Sequence, residues 1–319
     1  MKKVLLTYPV PEQVLIPFQN EFDITVADHK LTRDEIAAQV STYDALFVFA
    51  EKADKVVIDA GKNLKVIANF GVGYDNIDWK YATEKGIAVV NTPTQVTDAT
   101  AEHTFALIVT VMRDIAGYDR ELKAGTWNSP LFSERATELT DRTLGILGFG
   151  RIGKLVAKKA KGVGMKIVYF DVFRAKPEIE KEYDATYMSF DDVLKKSDCV
   201  SLHMPFTPEN RHLFDLDTFK KMNKDSYFIN CARGPIVDEK QLAIALKTGV
   251  IKGAGLDVFE DEPHVSPELL TLDNITITPH VASSTLKARL GMAHEALTGL
   301  TAVLKGEKPY NVINKEVLA

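Results

Sequence analysis

The sequence predicts an α/β fold of two doubly wound parallel-sheet domains. Two observations carry that prediction: short apolar runs alternate with helical patterns from end to end, and the alternation comes in two series. A chain of 319 residues with 45% hydrophobic content is also long enough for two cores. Strand and helix in this alternation mean parallel sheets covered on both faces.

The first series reads as five buried strands before residue 95: "VLLT", "ITVA", "ALFVFA", "LKVIANF" and "IAVVNTP". Within it, "LTRDEIAAQV" sets Thr32 and Glu35 at capping-box spacing, a helix start. Asp98–Leu122 reads as one helix, apolar nearly all round in its first half and so buried. The second series is "TLGILGF", "KIVYFD", "CVSLHM", "SYFINCA", "GAGLDVF" and "ITITPH". Its helices are "RIGKLVAKKAKG" and "DEKQLAIALKTG", the latter with Asp238 and Gln241 at capping spacing. A last helix spans Ser284–Gly306. The periodicity permits the Asp98 helix to carry the chain out of the first domain and the last helix to carry it back. The domains are then 1–97 with 285–319, and an inserted 98–284.

A net charge of −5 without a basic patch excludes a nucleic-acid footprint. Cys199 and Cys231 sit inside apolar runs and fit neither a disulfide framework nor a zinc pattern, so buried thiols in a reducing compartment are expected. The N-terminal apolar run is too short for a signal peptide, and no run of about eighteen apolar residues offers a membrane span. The expectation is a cytoplasmic protein with no membrane contact.

Thr143–Asp171 holds the strongest local signal. Gly148, Gly150 and Gly153 make a GxGxxG turn directly after an apolar strand and open a helix; the next strand ends in Asp171, eighteen residues past the last glycine. Gly148 permits the tight turn, Gly150 lets a pyrophosphate approach the backbone, and Gly153 lets helix and strand pack closely. The helix start offers N–H groups to the phosphates. Asp171 can accept from both ribose hydroxyls and repels a 2′-phosphate, which favours NAD(H) over NADP(H), although Arg174 stands nearby. "GVGYDNIDW" (Gly71–Trp79) lacks the third glycine and the spaced acid; it reads as a βα turn with a small anion nest.

Arg233, Asp257, Glu262 and His280 lie at strand ends of the second series. Ligands of open parallel sheets bind outside the carboxyl ends of the strands. Arg, Glu and His on one edge make an anion clamp, a proton donor and its tuning partner. Each taken singly has a plainer reading, a surface ion pair or a hydrogen-bonded structural residue, and that reading is kept for His29, His103, His203, His212, His264 and His294. "DVFEDEP" (Asp257–Pro263) lacks the glycine and alternating ligands of a calcium loop, so no metal is expected.

"GFGRIG" with Asp171, "NCARGPIVDEKQLAIAL", "GAGLDVFEDEP", "TPHVASST", "NFGVGYDNID" and "NTPTQVTDATAEHTFAL" together resemble the D-isomer-specific 2-hydroxyacid dehydrogenase family, in its glyoxylate/hydroxypyruvate or 2-ketogluconate reductase branch. The resemblance covers nearly the whole chain. It implies two Rossmann-like domains, with the NAD-binding domain inserted into a discontinuous, flavodoxin-like substrate domain. By resemblance, Arg233 binds the carboxylate of a small 2-keto acid, His280 protonates the carbonyl oxygen and Glu262 holds His280. Val72 and Gly73 take the carboxylate by their backbone, and Asp257 holds the nicotinamide carboxamide. Arg151 and Ile152 line the pyrophosphate; Pro205, Thr207 and Cys231 lie near the adenosine and nicotinamide ribose. Glu260 and Asp261 are left as solvated loop acids. The resemblance also implies a homodimer, with the Trp127 segment in the loop that reaches the partner. Two departures, "ATELTDRTLG" before the fingerprint strand and Lys287 after His280, touch only local packing. The fold also serves NADH-sensing corepressors, the alternative to a 2-keto acid reductase. The compact chain favours the enzyme.

Overall fold

Every apolar run read as a strand becomes one in the structure, a computed structural model that describes residues 1–318. In the first series, β1 (Lys2–Leu6), β2 (Phe22–Val26), β3 (Ala45–Val48), β4 (Val66–Asn69) and β5 (Ala88–Val90) alternate with α1 (Glu12–Leu15), α2 (Arg33–Gln39), α3 (Lys55–Ala60) and α4 (Trp79–Glu84). The strands are parallel in the order β2-β1-β3-β4-β5, the flavodoxin-like winding. The α2 start carries a full capping box: Thr32 accepts from the Glu35 amide while the Glu35 carboxylate takes the Thr32 amide at 2.7 Å.

The second series follows α5 (Thr97–Met112) and α6 (Ile115–Lys123). It runs β6 (Thr143–Leu147), α7 (Arg151–Gly162), β7 (Lys166–Phe170), α8 (Pro177–Tyr183), β8 (Ala185–Tyr187), α9 (Phe190–Lys196), β9 (Cys199–Leu202), α10 (Leu216–Phe219), β10 (Tyr227–Asn230), α11 (Glu239–Lys247), β11 (Gly253–Leu256) and β12 (Ile275–Ile277). All seven strands are parallel, ordered β12-β11-β10-β9-β6-β7-β8. The winding reverses between β6 and β9, where Ile146 pairs with Tyr169 on one side and Ser201 on the other. Such a switch point opens a crevice at the strand ends. The chain ends with α12 (Leu286–Leu304).

Contacts divide the chain into two units, Met1–Val96 with Ser284–Ala319, and Thr97–Ser283. Each unit has an apolar cluster on either face of its sheet. In the first unit, one face is closed by α12, whose Ala293, Ala296, Leu297, Leu300 and Val303 pack with strand residues such as Phe47 and Val66.

Two expectations need correction. The helix read as Asp98–Leu122 is two helices, broken at Asp114, which takes a left-handed φ of 50°. Its carboxylate is held by Arg135 at 2.7 Å, a contact from outside the local pattern. The second sheet also has an edge strand beyond the six expected, β8, only three residues long and part polar. No helix among the described residues is long and apolar enough to cross a membrane.

Candidate active site

The glycine turn lies at the switch point of the second unit. Gly148 has φ +97°, and a Cβ there would stand 2.7 Å from the His203 carbonyl carbon. A Cβ on Gly153 would meet the Gly148 oxygen at 2.3 Å, so only glycine lets α7 approach β6 this closely. At Gly150, the N-cap of α7, a Cβ would meet nothing within 4 Å. That open side, beside the first turn carrying Arg151 and Ile152, suits a pyrophosphate. Asp171 Oδ2 accepts the Phe149 amide at 2.7 Å, which ties the end of β7 to the glycine turn. Across the crevice, Asn210 fixes the loop after β9: it accepts the Thr207 amide and donates to the Pro205 carbonyl, each at 2.8 Å. Burial pushes the Cys231 thiol up to about 12 and the His203 imidazole down to about 3, so neither is poised for proton transfer. The residues present fit a dinucleotide.

Along the same carboxyl edge stand the ends of β10, β11 and β12. His280 Nδ1 lies 2.7 Å from Glu262 Oε2. The other Glu262 oxygen accepts the Phe259 amide at 3.0 Å. Burial works to raise the Glu262 carboxyl, but the His280 ring, the Phe259 amide and the Arg233 charge outweigh it and hold it below its ordinary value. Arg233 therefore shares the electrostatic environment of this pair. It is half-buried, and the Asn230 side chain holds its carbonyl at 2.9 Å. The next residue, Gly234, lies so close to the Phe259 carbonyl that a Cβ would stand 1.8 Å from its oxygen. The Arg233 and Glu262 segments thus touch through backbone.

Asp257, at the end of β11, is tied to the turn after β12. It has no exposed surface, and its carboxylate accepts from Thr278 Oγ1 at 2.6 Å and from the amides of Val281 and Ala282 at 2.9 and 2.8 Å. Burial would raise its pKa, yet His103, Thr278 and these amides hold it below its ordinary value. Its carbonyl takes the His280 amide at 2.8 Å, while His280 itself sits at φ 52°. In this arrangement Asp257 braces the His280 turn. His103, read as a structural histidine, is part of the brace: its Nε2 lies 3.0 Å from Thr278 Oγ1 and 3.4 Å from Asp257 Oδ1.

Glu260 is not the solvated acid expected: it pairs with Arg211 and lies 2.8 Å from His212 Nε2. Asp261 is exposed, with His264 beside it at 3.5 Å. Sequence reasoning passed over Glu239. This buried carboxylate accepts the amides of Glu260 and Ser266 at 2.5 and 3.1 Å, and so anchors the loop carrying Glu262. Nothing in its motif distinguishes it from an ordinary helix-start acid. Among the described residues no group of three or more His, Cys, Asp or Glu side chains could hold a metal ion.

In the first unit, the Gly71–Gly73 turn follows β4. Its carbonyls are drawn inward: Asn69 donates to the Gly73 oxygen at 2.6 Å and Asn91 to the Val72 oxygen at 2.7 Å. Among the described residues, no backbone carbonyl accepts the Val72 or Gly73 N–H. Asparagines at strand ends were the missed signal for this nest.

Residues 105–282 match the family described as D-isomer specific 2-hydroxyacid dehydrogenase, NAD binding domain. The chain is 43% identical over 325 residues to a glyoxylate reductase of Thermococcus litoralis, covering 99% of this chain and 98% of the relative. It resembles the Aquifex aeolicus D-lactate dehydrogenase solved with NAD and lactic acid, at 30% identity and a TM-score of 0.86 over 98% and 99% of the two chains. A NADPH-dependent glyoxylate/hydroxypyruvate reductase of Sinorhizobium meliloti aligns at 27% identity and a TM-score of 0.84, over 99% and 98%. With its parallel sheets and its glycine crevice, the chain belongs to the D-isomer-specific 2-hydroxyacid dehydrogenase family and is an NAD-binding oxidoreductase.

Proposed function

We propose that the protein reduces a small 2-keto acid, such as glyoxylate, hydroxypyruvate or 2-ketogluconate, to the D-2-hydroxy acid with NADH in the cytoplasm. One observation carries the reading above the others: the 2.7 Å contact between His280 Nδ1 and Glu262, beside Arg233 on the carboxyl edge of the sheet. With Nδ1 engaged by the carboxylate, Nε2 is the ring atom left to serve a substrate.

In this reading Gly148, Gly150, Gly153, Arg151 and Ile152 take the pyrophosphate and Asp171 the ribose diol. Pro205, Thr207 and Cys231 line the adenosine and ribose. Asp257 holds the nicotinamide carboxamide and braces the His280 turn. A nicotinamide dinucleotide held there would supply the hydride for the keto carbon. Arg233 binds the carboxylate; in the first unit, the Val72 and Gly73 amides form an anion nest of the kind a carboxylate suits. His280 gives its Nε2 proton to the carbonyl oxygen as that oxygen gains negative charge, and Glu262 stabilises the imidazolium before transfer. The hydride and that proton complete the hydroxyl-bearing carbon. Asp171 at the ribose supports NADH over NADPH. Trp127, Leu131 and Phe132 are 83%, 89% and 90% exposed on one loop, which supports a homodimer closed there.

The test is NADH oxidation across a panel of 2-keto acids, with the same panel and NADPH. Turnover of one or more small 2-keto acids at a higher kcat/KM with NADH is expected. A panel without turnover overturns the enzyme, and a higher kcat/KM with NADPH overturns the coenzyme assignment.

A further inference from the structure

At the end of β7 the sequence sets an acid and a base three residues apart, Asp171 and Arg174. In a dinucleotide site the acid at this strand end suits an unphosphorylated ribose, whereas an arginine nearby accommodates a 2′-phosphate. The outcome therefore depends on where the guanidinium is held.

Asp171 Oδ1 accepts the Phe173 amide at 3.1 Å, a turn that keeps the following residues at the strand end. The Tyr187 hydroxyl lies 3.5 Å from the Asp171 carbonyl oxygen, and the Arg174 guanidinium carbon stands 5.4 Å from the centre of the same ring. Arg174 and the backbone of Asp171 are thus separated by a single phenol ring. At that place the guanidinium is already engaged. Its Nε and Nη2 fork onto the two oxygens of Glu180, on α8, at 2.9 and 3.0 Å. Glu180 is fixed in turn. The hydroxyl of the buried Tyr169 donates to it at 2.7 Å and itself accepts the Ala175 amide at 3.0 Å. The carboxylate side chain is only 15% exposed, against 63% for the arginine, so the acid is the fixed partner and the base the mobile one.

We propose that Glu180 is a coenzyme-specificity residue, which occupies the Arg174 fork and so withholds it from the 2′-phosphate of NADP(H). Carboxylate and phosphate compete for the same planar pair of donors. While Glu180 holds that pair, a 2′-phosphate meets the Asp171 charge without the Arg174 fork to offset it. Without Glu180, a guanidinium is left beside the ribose with no carboxylate in its fork. The inference deepens the NADH reading above and rests on it.

The test compares kcat/KM for NADH and NADPH, with one 2-keto acid that turns over, in the wild type, Glu180→Ala, Glu180→Gln, Arg174→Ala and the Glu180→Ala/Arg174→Ala double variant. Thermal midpoints accompany each, since Glu180→Gln keeps the acceptor for Tyr169 if Glu180→Ala fails to fold. Glu180→Ala is expected to raise the NADPH/NADH ratio about 10- to 100-fold, the scale of one charge-assisted hydrogen bond from the freed fork to the phosphate. Glu180→Gln raises it less. Arg174→Ala alone leaves the ratio within about 2-fold, and the double variant loses the increase. An unchanged ratio in both folded Glu180 variants overturns the inference, and so does an increase that survives removal of Arg174. A wild type that prefers NADH while Glu180→Ala changes nothing overturns this inference alone. A wild type that prefers NADPH overturns the NADH reading and this inference with it.

Discussion

The His280–Glu262 contact is a pair of roles split between two side chains. His280→Ala removes the proton donor and leaves the glycine crevice untouched. Its kcat for reduction should fall by about 10²- to 10⁴-fold, the usual worth of a general acid. NADH affinity, read by fluorescence titration, should stay within about 2-fold. Glu262→Gln removes the charge that faces the His280 ring. The Glu262 carboxyl is held below its ordinary value, so that charge is present at neutral pH and lost only in acid. At pH 7 the variant's kcat for reduction should fall by about 10-fold or more, with NADH affinity within about 2-fold; an unchanged kcat would remove Glu262 from this role. At this scale the sequence was legible where a motif sets a residue type at a strand end, as with Arg233, Glu262 and His280. It was not legible for Glu260 or Glu239. Their partners, Arg211 and His212 for one and the Glu260 and Ser266 amides for the other, lie 21 to 49 residues away, and no local pattern encodes that closure.

Between elements, Asp257 joins the end of β11 to the turn after β12 through Thr278, Val281 and Ala282. Asp257→Asn puts an amide where three donors converge, so at least one buried donor loses its acceptor. The cost at pH 7 should be about 2–3 kcal/mol, as for hydrogen bonds to a buried charge. The folded-state pKa lies below the ordinary 3.8, so the carboxylate's stabilisation is present above that value and is lost as pH falls through the folded pKa. Denaturant melts should therefore show the variant and wild type converging in acid, below about pH 3.8, and separated at neutral pH. A difference independent of pH would assign the loss to packing. Elements themselves were legible where apolar runs were long. The sequence missed the break at Asp114 because a left-handed aspartate held by Arg135 leaves the helical periodicity intact on both sides. It missed β8 because three residues on a sheet edge carry too little apolar signal.

On the scale of the molecule, the first unit is built from two separated lengths of chain, 1–96 and 284–319. One face of the five-stranded sheet is covered by Ala293, Ala296, Leu297, Leu300 and Val303 of α12, and without them Phe47, Val66, Ala68 and Val90 face water. Burying a single large apolar side chain contributes about 1.5–3 kcal/mol, and a whole domain retains only about 5–15 kcal/mol of net stability. Exposing several such side chains on that face costs an amount comparable to the margin. Polar bonds tie the same two lengths: Glu295 of α12 accepts from Thr94 Oγ1 at 2.6 Å, and Asn314 from the Val89 amide at 2.8 Å. Residues 1–96 expressed alone should lack a cooperative thermal transition and bind a hydrophobic dye. The same residues joined to 284–319 by a short Gly/Ser linker, in place of 97–283, should melt cooperatively with native-like amide dispersion. A cooperative melt for 1–96 alone would show that α12 caps a sheet already stable by itself, and would break the link between the discontinuity of this unit and its stability.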